Sequence, residues 1–83
     1  MIFVQYLENK NRKTLLLEEF RFTLIRVGMN KILSKIKKHT FDDIVQMECA
    51  EWMELDQTLA LTEVITIVSL SERMLSKLEL LIS

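Results

Sequence analysis

The sequence predicts an all-α protein: an antiparallel helical hairpin with an extra N-terminal segment and a C-terminal helical extension, in one small domain over residues 1–83. Three observations predict it. The chain has no Pro and one Gly, while Leu, Glu, Lys and Met abound. Sheets and tight hairpins lean on Gly and Pro, and the abundant residues are strong helix formers. Apolar residues recur at intervals of three, four and seven, the period of a helix face. The charges also divide by sign. Phe20–Phe41 holds Arg21, Arg26, Lys31, Lys35, Lys37 and Lys38 and no acid; Asp42–Glu63 holds Asp42, Asp43, Glu48, Glu51, Glu54, Asp56 and Glu63 and no base.

Taking the elements in order, Met1–Leu7 is dense in apolar residues and too short to assign by period; it reads as a helical turn or two, or a short strand. Glu8–Lys13 is polar with two Asn, a break signal, although Glu8 and Arg12 stand four apart as a continuous helix would place them. Thr14–Lys38 reads as the first long helix. Leu15, Phe22, Ile25, Met29, Ile32, Leu33 and Ile36 share one face, and Leu17, Phe20, Leu24 and Val27 form an adjoining strip. That arc is wider than one packing partner needs. Gly28 falls inside this helix, as a small residue letting another helix approach.

The second helix is expected from Phe41 to about Leu70. Thr40 can accept the Asp43 amide, a near match to the capping box. Val45, Cys49, Trp52, Leu55 and Leu59 line up inside it, and Leu61, Val64, Ile65, Val68, Leu75, Leu78 and Ile82 continue a stripe. Thr62–Leu70 is rich in β-branched residues, which favour strands, but its paired apolar positions favour helix. An unbroken helix to Ile82 would be about 63 Å long at 1.5 Å per residue, so a break is expected near Thr58–Thr66 or Ser69–Ser71. The charge split then marks a hairpin corner at Lys38–Thr40. Cations end one helix, anions begin the next, and antiparallel pairing sets a basic helix beside an acidic one.

The same residues exclude several chemistries. One Cys permits no internal disulfide. A net charge of −1 argues against nonspecific binding to nucleic acid or an anionic membrane. No apolar run approaches the roughly 20 residues that span a bilayer, and MIFVQYLENKNRK lacks the pattern of a secretory signal. His39 and Cys49 alone cannot supply the four ligands of structural zinc. His39 reads as a helix-end cation or a solvated side chain, and Cys49 as a small buried hydrophobe. No Ser/His/Asp set and no Gly-rich phosphate loop is present, and the carboxylates read as a solvated face. The expectation is therefore no enzyme, no cofactor and no metal. Trp52 reads as core, being central in its stripe, with the anchor of an interface as the alternative.

The stretch ILSKIKKHTFDDIVQMECAEW followed by TLALTEVITIV resembles the small co-chaperones of type III secretion needle subunits. The similar features are the Leu33–Lys38 run ending the first helix, Trp52 in the second, and the apolar Leu59–Val68 segment. The resemblance covers roughly residues 16–70; Met1–Lys13 and Ser71–Ser83 depart from it. It implies a cytoplasmic helical hairpin that binds a helical-repeat chaperone, the two together holding the needle subunit's C-terminal helix before export. Glu54-Leu55-Asp56 also resembles the acidic core of small hairpin phosphatases acting on response regulators, although the Ser-Gln pair of that family is replaced by Trp52-Met53.

The function expected is thus a small non-enzymatic binding protein, joined to a helical protein partner in a hetero-complex or a homo-oligomer, with no nucleic acid and no membrane insertion. Contacts are expected from Leu17, Phe20, Leu24 and Val27 on the first helix and Ile67, Leu70 and Met74 on the second, as a helix-in-groove surface. The alternatives are a hairpin phosphatase using Asp56 and a self-associating structural protein.

Overall fold

The computed structural model describes residues 2–82, with side chains over residues 8–81. The described chain is all-α: α1 (Ile2–Arg26), α2 (Asn30–Lys35), α3 (Phe41–Gln46), α4 (Cys49–Leu55) and α5 (Leu61–Ile82), with no strand among the described residues. From Ile2 the N-terminal segment is helical and continuous with the rest of α1, through the Asn-containing stretch expected to break it. Thr62–Leu70 lies wholly within α5, so its β-branched residues are helical.

α1 and α5 are the two long elements, about 37 and 33 Å at 1.5 Å per residue. They pack antiparallel. Arg12 Nη1 donates to the Leu81 carbonyl at 2.9 Å, and Glu19 pairs with Lys77 one turn and more further along. α2, α3 and α4 pack along this pair, α3 and α4 against α5 and α2 and α3 against α1. The result is elongated, 45 × 21 × 19 Å.

Two expected long helices are therefore broken, and each break has a local cause. The first falls at Gly28, which adopts φ +83°. The Gly28 amide donates to the Ile25 carbonyl at 3.0 Å and the Met29 amide to the Leu24 carbonyl at 2.8 Å. This is the Schellman termination, in which a left-handed residue lets the chain close over the last turn. Leu24 and Met29, the apolar pair that accompanies this motif, are both buried. Gly28 thus ends α1 rather than permitting a close helix approach, and a Cβ placed there would meet nothing within 4 Å. The cost of substitution is one of backbone alone. Gly28→Ala is expected to destabilise by about 1 kcal/mol, lowering Tm by about 4–8 °C. Gly28→Asn should cost less, since Asn tolerates the left-handed region. Thermal unfolding of the two variants checks the order.

The second expected helix is divided into α3, α4 and α5 by successive caps. Thr40 and Asp43 form the expected capping box, the Asp43 amide reaching Thr40 Oγ1 at 3.2 Å and the Thr40 amide reaching Asp43 Oδ2 at 2.9 Å. Glu51 accepts the Glu48 amide at 3.2 Å, and Glu63 the Ala60 amide at 2.9 Å. An acid in the first turn of each of the three helices thus reaches back to an otherwise orphaned amide. Between α4 and α5 the chain turns through Asp56, whose Oδ1 accepts the Thr58 amide at 3.0 Å and the Thr58 hydroxyl at 2.6 Å. This turn lies at the edge of the expected break near Thr58–Thr66. Much of the acidic run caps helices: Asp43, Glu51 and Glu63 each accept the amide three residues earlier. The one cross-element ion pair it makes among the described residues is Lys13 with Asp42, at 3.0 Å.

All five helices contribute to one core. Leu16, Phe20 and Leu24 of α1 meet Ile32 of α2, Phe41 and Ile44 of α3, Trp52 of α4, and Val64, Ile67, Met74 and Leu78 of α5. Met29, Ile36 and Leu59 enter it from the connections. Arg21 lies along α1 so that its Nη2 donates to the Ile36 and Lys37 carbonyls, 3.4 Å each, satisfying the carbonyls exposed where α2 ends.

Candidate functional site

The facing of α1 decides which apolar residues are available to a partner. Its inward face is Leu16, Phe20 and Leu24, spaced by four, with Leu17 packed at the edge of the core. Its outward face carries Leu15 (65% exposed), Phe22 (60%) and Ile25 (49%). Those three are separated by seven and three residues, so they share one side of the helix, in a strip about 15 Å long. The Arg26 guanidinium lies 5.4 Å from the centre of the Phe22 ring, close enough for a cation–π contact.

The strip expected to be exposed is thus largely the core. Phe20, Leu24, Ile67 and Met74 are buried, Leu17 and Leu70 half-buried, and Val27 alone of the seven is exposed. Phe20 of α1 and Leu70 and Met74 of α5 line one groove between those helices, and Leu24 and Ile67 have no exposed surface, so a partner would reach the buried four only by opening the fold. The residues expected inside, Leu15, Phe22 and Ile25, lie outside. Sequence reasoning missed them because Met29, Ile32 and Ile36 were counted in the same stripe. Gly28 ends the helix before them, and they enter the core from a separate segment. The signal for the true facing was Leu16, Phe20 and Leu24 in steps of four, read with Gly28 as a stop.

Other singled-out residues take these places. Trp52 is fully buried, as expected. Cys49 is exposed at the first position of α4; the break before that helix turns it out of the core, correcting its reading as a buried hydrophobe. His39 is half-buried between α2 and α3, its Nδ1 buried and without a hydrogen-bond partner. A second exposed apolar pair, Leu61 and Ile65, stands one turn apart at the start of α5. Among the described residues no three of His, Cys, Asp and Glu group to hold a metal ion, and no helix is long and apolar enough to cross a membrane.

Asp56 is the carboxylate that the phosphatase alternative would use. It is 4% exposed and engaged by Thr58. The Thr58 hydroxyl, then its amide, hold the Asp56 carboxyl below the ordinary 3.8, against the opposing effect of burial, with Lys35 and Lys31 helping. Asp43 is held below its ordinary value by the Thr40 amide, then by the Thr40 hydroxyl, with His39 adding to it. Both groups stabilise the fold above the unfolded value of 3.8, and that stabilisation is lost as pH falls through the lowered folded values. Tm is therefore expected to hold down to about pH 5 and to fall steadily below about pH 4. Asp56→Asn should lower Tm at pH 7 and flatten the acid limb. A variant with an unchanged acid limb would show that Asp56 carries none of it.

No family model matches this chain, and neither a curated protein nor a solved structure matches it.

Proposed function

We propose that this chain is a small non-enzymatic binding protein that presents the outward face of α1 to a helical partner. The observation that carries the reading is the strip of Leu15, Phe22 and Ile25 on a helix whose opposite face is already packed. Three large apolar side chains aligned on one exposed face are the anchor pattern of helix-in-groove recognition. Phe22 is the natural centre, because aromatic anchors dominate such interfaces. The engagement of Asp56 by Thr58 supports a non-enzymatic role, since a working carboxylate must reach its substrate.

The specific form of the proposal is a cytoplasmic co-chaperone of the type III needle class, whose partner is a helical-repeat chaperone. The test is titration of the purified chain against such a chaperone from the same cells. Phe22→Asp is expected to weaken the complex at least tenfold, an anchor loss of about 1.4 kcal/mol or more, with the free protein's helicity unchanged. Absence of a complex removes the co-chaperone form. A complex indifferent to Phe22→Asp and Leu15→Asp removes the outward face of α1 as the binding surface.

A further inference from the structure

Two grooves of opposite charge meet at His39. The first runs between α1 and the segment joining α2 to α3. Its rim carries Lys10, Lys13, Lys37 and Lys38, Leu17 and Phe41 also line it, and its volume is about 680 Å³. The single acid in it, Asp42, is paired with Lys13. The second groove, about 600 Å³, lies between α3 and α4, where Asp43, Glu51 and Glu54 stand around Met47 and Leu55. His39 lines both. Each groove therefore holds two apolar side chains, Leu17 and Phe41 in one and Met47 and Leu55 in the other, under a rim of one dominant sign, and the two adjoin at His39.

This arrangement is complementary to itself. We infer that a second copy of this chain docks here, with a two-fold axis passing near His39, so that the basic groove of each copy lies over the acidic groove of its partner. Charge complementarity selects this occupant. Lys10, Lys37 and Lys38 make no ion pair among the described residues, and neither does Glu54. Groups of the opposite sign line the neighbouring groove. A two-fold rotation brings both sets together at once, because it exchanges the two grooves. Head-to-tail docking would satisfy one groove per copy and leave the others open to continued growth; two-fold docking about the shared His39 closes the pair instead. The net charge of −1 leaves little long-range repulsion between copies. The apolar lining of the grooves gives the contact a component that salt does not screen, and the rims fix its register. The surface is distinct from the outward strip of α1 and does not depend on it.

The test is sedimentation equilibrium of the full chain and of two charge-reversed variants that leave the helix caps intact: Lys37→Glu/Lys38→Glu in the basic groove and Gln46→Lys/Glu54→Lys in the acidic one. The unaltered chain is expected to dimerise, with a Kd that rises at least tenfold between about 50 and 300 mM salt as the Debye length shortens. Each variant alone should dimerise at least tenfold more weakly, since Lys37→Glu/Lys38→Glu sets acid against acid and Gln46→Lys/Glu54→Lys cancels the acidic groove's charge against Asp43 and Glu51. An equimolar mixture of the two should associate as a 1:1 heterodimer more tightly than either variant alone, because the unaltered basic groove of one then lies over the unaltered acidic groove of the other. Circular dichroism confirms that both variants stay helical; if either does not, Lys38→Glu and Glu54→Lys alone replace them. A chain that is monomeric at low salt overturns the inference. So does a dimer that either charge-reversed variant forms as well as the unaltered chain, or a mixture that fails to associate. A dimer lost on Phe22→Asp but indifferent to charge reversal also overturns it, and assigns self-association to α1.

Discussion

Leu24→Asp is expected to unfold this chain, and Phe22→Asp, two residues away, to leave it folded. Leu24 has no exposed surface and belongs to the one core that all five helices share. Removing such a side chain costs about 2–5 kcal/mol. A carboxylate in its place must lose its hydration or take up a proton, which adds several kcal/mol more. A chain of this length has a total stability of about 4–12 kcal/mol, so the substitution alone removes most or all of it. Phe22 points the other way. Exchange of an exposed side chain moves stability by about 0.5 kcal/mol, and the loss of its contact with Arg26 is offset by a charge pair four residues apart on the same helix. Circular dichroism and urea titration of the two variants decide the matter. If Leu24→Asp remains helical with an unchanged midpoint, α1 faces the other way.

The contrast between these two positions shows how much of the fold was legible. The helical class was plain from the near absence of Gly and Pro and from the apolar period. The Thr40 cap was plain because a hydroxyl three residues before an acid has one favoured use. The facing of α1 was not, because Leu15, Phe22 and Ile25 are as apolar as Leu16, Phe20 and Leu24, and local sequence does not say which strip finds a partner inside. That choice is made by α5 and α3, elements distant in sequence. The single Gly held the missing information. Read as an interior residue, it carried the phase of Met29, Ile32 and Ile36 back into α1 and selected the wrong strip; read as a C-terminal stop, it frees α1 to be phased by its own residues.

The acidic half shows the same dependence at closer range. Glu48–Glu51 and Ala60–Glu63 repeat the three-residue spacing of Thr40–Asp43, yet only the hydroxyl-bearing cap was conspicuous. Acids that read as one side of a charge-paired hairpin are, at Asp43, Glu51 and Glu63, the hydrogen-bond acceptors that start three helices. Short helices follow from this: each new cap begins another helix before the last has run more than two turns. The grooves beside His39 are a consequence, because these turns leave concave surface where a continuous helix would have left none.

Trp52 is where those short helices are tied to the rest, and Trp52→Ala should be the most damaging truncation on α4. The side chain is fully buried, the largest in the core, and its removal is expected to cost about 3–5 kcal/mol, lowering Tm by more than about 12 °C. Trp52→Phe should behave differently from an ordinary loss of indole. Nε1 is buried and has no hydrogen-bond partner, so the N–H is already desolvated without compensation. Phenylalanine keeps most of the apolar contact and removes that unsatisfied donor, which offsets part of the cavity left behind. A cost below about 1.5 kcal/mol is expected, well under that of the alanine variant. Trp52 is the one tryptophan of the chain, so its emission reports its own burial and should shift to longer wavelength only as the protein unfolds. If the phenylalanine variant falls as far as the alanine one, the indole nitrogen holds a partner in solution, and the environment of Trp52 is more polar than its burial indicates.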